Sequence, residues 1–418
     1  MIIPFRKKYP IIIRPDRHAM SLDLIDKSVL DIMNRLRRHG FQACLVGGCV
    51  RDILLGKKPK DFDIATNARP QQIKRLFRRC YLIGRRFRLA HVYISSDRFV
   101  EVATFRAAVH PDQAQTGRYA ANNVYGTIEE DALRRDFTVN ALYYDRADST
   151  IIDYTGGLRD LKKKIVRSIG DPLTRFAEDP VRIIRAARFC AQLGFRTSGP
   201  DFKAALDCSS LIKEANSHRL LEELYKILRC GASAETIINL KKLRILQFWI
   251  PEITAERHES RLRRRLGALD LRRKRGVEIP NAVLVTTLLF DLFYEAMDTA
   301  AARGGFQQLF IALNGYFREM AARICLPRRE WEAVCNIAAR YRTFTGTNGG
   351  RRWKSFERRF VQNAHFPGAL LFFEILVDAT GEHRDRLEYW QARASGLPEQ
   401  GLRQPEGERQ GRRKDRQA

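Results

Sequence analysis

Apolar and polar residues alternate at helical spacing over residues 22–40, and the period then shortens. "FQACLVGG" (41–48) reads as a strand ending in a glycine turn, and "CVRDILLG" (49–56) as a helix start closed by Gly56. "DFDIAT" (61–66) predicts a short strand, and "RPQQIKRLF" (69–77) a helix with Pro70 in its first turn. "YLIG", "AHVYIS" and "FVEVATF" read as strands, the last with clean two-residue alternation. Short strands and helices therefore mix up to about residue 170. After "IGDP" (169–172) the texture changes, and segments such as "PVRIIRAARFCAQLGF", "SHRLLEELYKILR" and "AVLVTTLLFDLFYEAM" keep helical spacing to about residue 395. The stretch 396–418 is polar and without period, which predicts a disordered tail. The pattern predicts an α+β chain in five parts: a basic extension (1–21), a mixed-sheet head (22–170), a helical neck (171–235), a helical body (236–395) and the tail (396–418).

Charge narrows the partners. Lys and Arg number 75 against 48 Asp and Glu in 418 residues, a formal net charge of +27. Such an excess favours a polyanion, nucleic acid before an anionic membrane surface. No apolar run is long enough to span a bilayer, and "ALLFFEILV" (369–377) carries Glu374, so no membrane partner is expected. The basic N-terminus has a short, Pro-broken apolar patch and no small-residue cleavage site, which argues against a secretory signal. The eight cysteines are scattered, with no CxxC pair and no paired His for zinc. They read as free buried thiols of a reducing, cytoplasmic setting.

Against this positive background Asp61 and Asp63 stand one residue apart. On a strand, such side chains share a face roughly 6–7 Å apart. Two carboxylates this close repel unless a cation lies between them, and a hard, oxygen-preferring ion such as Mg²⁺ fits. Glu101, between Val100 and Val102, would add a third carboxylate if its strand pairs next to the first. Alone, D-x-D reads first as an exposed acidic turn. Gly47 and Gly48, however, leave backbone N–H groups open where a helix begins, and Arg51, one turn on, can reach the same anion. Together these residues make a triphosphate-and-metal constellation.

That constellation resembles the class II nucleotidyltransferases, which comprise tRNA CCA-adding enzymes and bacterial poly(A) polymerases. "LVGGCVRDILLGKKPKDFDIAT" (45–66) is similar to their first motif, "RRDFTVNALYYD" (134–145) to the second, and "EDPVRIIRAARFCAQLGF" (178–195) to the base-selecting motif. "SHRLLEELYKIL" (217–228) is a looser match, and the resemblance covers roughly residues 25–235. It implies a polymerase β-like nucleotidyltransferase palm followed by all-α neck and body domains. It implies that Asp61 and Asp63 hold two Mg²⁺ ions, that Glu101 is the third acid, and that Asp136 lies near the ribose and metals. Gly47, Gly48 and Arg51 would contact the incoming ATP, with Arg134 and Arg135 lining the same cleft.

The base-selecting motif has a physical reading. Arg182, Arg185 and Arg188 recur every three residues, near one helix face, and could be a solvated basic stripe. As a selector, Asp179 accepts from an exocyclic amine while Arg182 donates to a ring nitrogen, which favours A and C over G and U. The resemblance gives Asp179 and Arg182 that role, with Arg185 and Arg188 on the phosphates or behind the base. "LIGRRFRLAHV" (82–92) sets Arg85, Arg86 and Arg88 around Phe87; it reads as a basic loop or as a grip on an RNA 3′ end, and it resembles the element marking bacterial poly(A) polymerases. "RLRRRLGALDLRRKRG" (261–276) is the densest basic block, with Arg263, Arg264, Arg265, Arg272 and Arg273 as candidate RNA contacts, or else a solvated helix face. The expectation is template-independent addition of AMP from ATP to RNA 3′ ends, of mRNA and other transcripts, by two-metal phosphoryl transfer. The alternatives are a CCA- or A-adding tRNA nucleotidyltransferase and an inert RNA-binding protein on the same fold. His91 and the cysteines have no evident catalytic duty in this reading, and protein partners are not legible.

Overall fold

The computed structural model describes residues 10–84, 89–107, 124–299, 306–346 and 353–395. The chain divides into two compact units, Met1–Cys208 and Ser209–Ala418. The first opens with β1 (Ile11–Ile13), α1 (Lys27–Arg38), β2 (Ala43–Val46), α2 (Gly48–Leu54), β3 (Asp63–Thr66) and α3 (Pro70–Leu76). It continues through β4 (Cys80–Ile83), β5 (Leu89–Tyr93), β6 (Phe99–Thr104), α4 (Ile128–Leu133), β7 (Leu142–Asp145), β8 (Thr150–Asp153) and α5 (Gly157–Lys162). It ends in β9 (Ile165–Val166), α6 (Pro172–Glu178), α7 (Val181–Leu193), β10 (Arg196–Thr197) and α8 (Gly199–Asp207).

Eight strands form one sheet in the order β1-β8-β7-β2-β3-β6-β5-β4. Only β3 and β6 run parallel; every other neighbouring pair is antiparallel, so the sheet is mixed, as expected. Local chemistry explains the helix that backs it. The Asp26 carboxylate caps α1 by accepting the Ser28 N–H at 2.9 Å. Val29, Ile32, Met33 and Leu36 then recur along one helix face and are buried. Each contributes about 1.5–3 kcal/mol through removal from water. They join Leu45, Ile64, Val100 and Val102 in the main core on one side of the sheet. Cys44, Val46, Ala65, Phe105, Ala132 and Tyr143 form a smaller cluster on the other.

Strand side chains alternate, so Asp63 shares the second face with Ala65, and Glu101 lies opposite the core-facing Val100 and Val102. Two details differ from the sequence reading. β3 begins at Asp63, so Asp61 and Phe62 precede the strand, Phe62 packing partly against the main core. Within the stretch expected as a basic extension, Ile11–Ile13 pairs with β8 at the sheet edge, satisfying backbone groups that an isolated tail would leave to water.

The second unit is helical among its described residues: α9 (Ser217–Arg229), α10 (Ser233–Lys242), α11 (Leu246–Trp249), α12 (Glu256–Lys274), α13 (Asn281–Thr299), α14 (Phe306–Tyr316), α15 (Arg318–Arg323), α16 (Arg328–Thr345), α17 (Trp353–Val361), α18 (Phe366–Thr380) and α19 (Arg384–Ala394). Its core is aromatic. Phe344 stacks on Phe373 at 5.0 Å and meets Trp390 edge-on at 5.5 Å. The apolar α18 is the central helix of this core, with Phe366, Phe372, Phe373, Ile375 and Leu376 buried. Among the described residues no single helix is long and apolar enough to cross a membrane.

Candidate active site

The site grows from the β2–α2 turn. Gly47 has φ +79° and ψ −130°, which a side chain would strain. A Cβ there would also stand 3.4 Å from the Arg135 guanidinium, and one on Gly48 would stand 3.5 Å from that of Arg51. At Gly47 the backbone conformation requires glycine, while both would-be Cβ atoms would make only ordinary contacts with arginine side-chain ends. The expectation that both glycine N–H groups stand open is corrected: Gly47 donates to the Leu142 carbonyl at 3.1 Å, continuing the β2–β7 pairing. Arg51 is corrected too. It is 5% exposed, pairs with Asp52 at 2.7 Å and donates to the Asn140 side chain at 2.5 Å. Its guanidinium braces α2 against the Asn140 segment, which leaves it little freedom to meet an incoming anion.

The parallel pairing of β3 with β6 sets Asp63 directly beside Glu101. Asp61, just ahead of the strand, adds its field to Asp63. The residue as a whole is open to solvent, yet protein atoms crowd its carboxyl. That loss of water, then the Glu101 charge, pushes its pKa up to about 6 against the opposing pull of Arg135. This excess of negative charge is what a divalent cation neutralises, and carboxylate oxygens are the donors Mg²⁺ prefers. The residues present thus fit such an ion, although among the described residues no three His, Cys, Asp or Glu side chains form a ready-made cage.

Three residues with no role in the sequence reading support these acids. His91 lies opposite Glu101 on β5, with its Nε2 3.5 Å from the carboxylate and its ring stacked on Phe99 at 4.1 Å. Asp131, buried on α4, pairs with Arg134 at 3.2 Å and Arg135 at 3.0 Å, and accepts the Tyr143 hydroxyl at 2.7 Å. Burial opposes its ionised form, but Arg135, the Tyr143 hydroxyl and Arg134 outweigh that and hold its pKa below the usual range. Arg135 also receives no freedom from this network: its Nε donates to both Asp131 and Tyr143. Only the spacing of four residues between Asp131 and Arg135 hinted at this in the sequence.

The next segment carries Asp136, which pairs with Arg185 of α7 at 2.6 Å. Arg175 of α6 donates to the carbonyls of Arg134 and Arg135 at 2.9 Å each, fastening α6 to the same segment. At the α6–α7 corner, Arg182 donates to the Arg175 carbonyl at 2.7 Å and to Glu178 at 3.1 Å. Its Nε, 3.8 Å from the Asp179 carboxylate, is buried and makes no hydrogen bond. Arg188 is buried with its guanidinium over the Phe189 ring at 4.6 Å, behind the corner.

The candidate RNA contacts separate. Arg85, Arg86 and Arg88 lie outside the described residues. On α12, Arg263 and Arg264 are exposed. Arg265 is corrected: it is 2% exposed, pairs with Asp291 at 2.8 Å and donates to the Thr287 carbonyl at 2.6 Å, so it cannot reach a phosphate. Arg272 is held by Glu374 at 3.0 Å and Asp378 at 2.6 Å, and Arg273 donates to the Arg229 carbonyl at 3.3 Å, so both act first as ties between helices. A basic block on a helix has an inner and an outer face, and composition does not tell them apart.

Comparison with known proteins identifies the family. Residues 43–167 match the poly A polymerase head domain, and residues 201–257 match a family described as "Probable RNA and SrmB- binding site of polymerase A". Poly(A) polymerase I of Escherichia coli O6:H1 (strain CFT073) is 36% identical over 408 residues, covering 93% of this chain and 87% of that protein. Poly(A) polymerase I of Haemophilus influenzae is 47% identical over 238 residues, 55% of this chain and 52% of the relative. Among solved structures, a tRNA nucleotidyltransferase complexed with a primer tRNA and an incoming ATP analogue is 25% identical, with a TM-score of 0.59 over 88% of this chain and 100% of that one. The chain therefore belongs to the tRNA nucleotidyltransferase/poly(A) polymerase family, as an enzyme of its poly(A) polymerase branch.

Proposed function

We propose that the protein adds AMP from ATP, without a template, to the 3′ ends of RNA. The observation that carries this reading is the in-register pair of Asp63 and Glu101 beside the glycine turn, in a chain aligned along most of its length with a poly(A) polymerase. Asp61, Asp63 and Glu101 would hold Mg²⁺, which, when bound, supplies Lewis-acid activation of the RNA 3′-hydroxyl and charge neutralisation on the triphosphate. The protein's own groups do the positioning. Gly48 lets the nucleotide approach the backbone closely, since no Cβ stands in the way. Arg135, ordered with Arg134 by Asp131, puts fixed positive charge beside Asp63. Asp136, steered by Arg185, lies on the segment that joins this charge to the base-selecting corner.

Selection of the base rests on Asp179 and Arg182. Arg182, whose Nε stands 3.8 Å from the Asp179 carboxylate, would donate to a ring nitrogen while Asp179 accepts an exocyclic amine. That pair admits adenine and cytosine alike. A second reading, addition of C and A to tRNA, is supported by the likeness to tRNA nucleotidyltransferase and by this same tolerance. Incubation with tRNA lacking its CCA end and with a generic RNA, each with ATP or CTP alone, separates the two. Addition of AMP to the generic RNA as well as to the tRNA is expected; CMP addition to the tRNA would replace the first reading with the second.

A further inference from the structure

The helical unit contains a cavity of about 250 Å³ that lies outside the matched head and RNA-binding families. It is smaller than the ~300–1,000 Å³ of drug-sized ligand pockets, and suits one aromatic base. One wall is Phe290, Tyr294 and Tyr341, whose ring centroids stand 5.0–6.0 Å apart in edge-on and tilted contacts. Tyr294 is 38% exposed.

The charged groups around this wall divide in two. Asp291 is neutralised by Arg261 at 3.1 Å and Arg265 at 2.8 Å. Arg264 and Glu382 also line the cavity, and their side chains have no hydrogen-bond or ion-pair partner among the described residues. An aromatic wall with one uncommitted cation and one uncommitted carboxylate complements a nucleotide whose base bears an amine. A second cleft of about 460 Å³ adjoins the first, sharing Arg264 and Ala379, and is lined further by Leu271, Arg272 and Arg275. Gly267 faces it with nothing within 4 Å of a would-be Cβ, and Leu271 is 56% exposed. From Arg264 to the end of α12, this line of clefts runs about 15 Å at the helical rise.

We infer that the cavity holds one adenine of the RNA strand, stacked on Tyr294, with its exocyclic amine on Glu382 and its backbone phosphate on Arg264. The strand then continues along α12 through the second cleft. Uracil, which offers a carbonyl where adenine offers an amine, would meet the Glu382 carboxylate unfavourably. The inference deepens the RNA-polymerising reading above by naming how the product strand is held.

The test is equilibrium binding of fluorescein-labelled oligoadenylate and oligouridylate of about 12 nucleotides, within the span such single-strand sites occupy. It uses the full chain without ATP, so a failure of AMP transfer in the preceding assay is read separately. Both variants change exposed rim residues and leave the aromatic core alone. Arg264→Ala is expected to weaken both oligomers about fivefold to tenfold, with a salt slope shallower by roughly 0.7 for the lost phosphate contact. Glu382→Ala is expected to weaken oligoadenylate alone, about fivefold, and so erase the preference over oligouridylate. The inference is overturned if Arg264→Ala binds both oligomers as the wild type does, or if Glu382→Ala leaves their ratio unchanged.

Discussion

At the scale of single residues, the unusual group is Asp63. Its pKa in the folded state, about 6, stands above the ordinary 3.8 because protein crowds it and Glu101 faces it. The protonated form is therefore the one folding favours. The stabilising contribution is complete below the ordinary pKa and is lost as pH rises through about 6. Melting temperature measured between about pH 4 and pH 7 in chelator should show this loss, and Asp63→Asn should remove it. Millimolar Mg²⁺ should restore melting temperature above pH 6 in the wild type and not in the variant. A variant that responds to Mg²⁺ as the wild type does would mean that Asp63 does not hold the ion.

At the scale of elements, the site depends on strands and helices that meet through buried polar contacts. Asp131 of α4 is the centre of one, joined to Arg134, Arg135 and Tyr143 of β7. Asp131→Asn leaves Arg135 short of its counter-charge and should cost roughly 3 kcal/mol in chemical denaturation, the low end for a broken buried pair because part of Arg135 reaches solvent. Transfer activity should fall with it, since Arg135 stands beside both Gly47 and Asp63; unchanged stability would mean the network is not the support described. The contiguous pieces were legible in the sequence: the glycine turn, the D-x-D stretch, the alternating strand through Glu101 and the shift to helices after "IGDP". These carry their own period or turn chemistry. What was not legible joins residues far apart in the chain. Arg51 meets Asn140, His91 meets Glu101, and Arg265 turns inward to Asp291. Each is a polar residue whose partner is chosen by register or helix packing, and a sequence pattern shows charge without showing what neutralises it. Asp61 fell outside its expected strand because β3 starts at Asp63, a boundary that pairing with β2 and β6 decides.

At the scale of the whole chain, a formal charge of +27 supplies affinity for any polyanion, and the structure distributes that charge unevenly in purpose. Arg265 and Arg272 hold helices together, whereas Arg263 and Arg264 face solvent. Arg265→Ala should accordingly destabilise the helical unit by roughly 1.5–3 kcal/mol, the scale of a lost charge-assisted hydrogen bond, because Asp291 keeps Arg261 as a partner, whereas Arg263→Ala should leave melting unchanged. Equal melting temperatures for the two would contradict the division. The central claim is that the acids at the start of β3 drive transfer of AMP to an RNA end. Its most direct measurement is the single-turnover rate of AMP addition to a generic RNA, with ATP and Mg²⁺, for the wild type and for the Asp61→Ala/Asp63→Ala double variant. The account predicts a loss of at least about a thousandfold with RNA binding retained, the scale seen when charge-stabilising groups are removed from a reaction centre. A double variant that extends the RNA at the wild-type rate would contradict it.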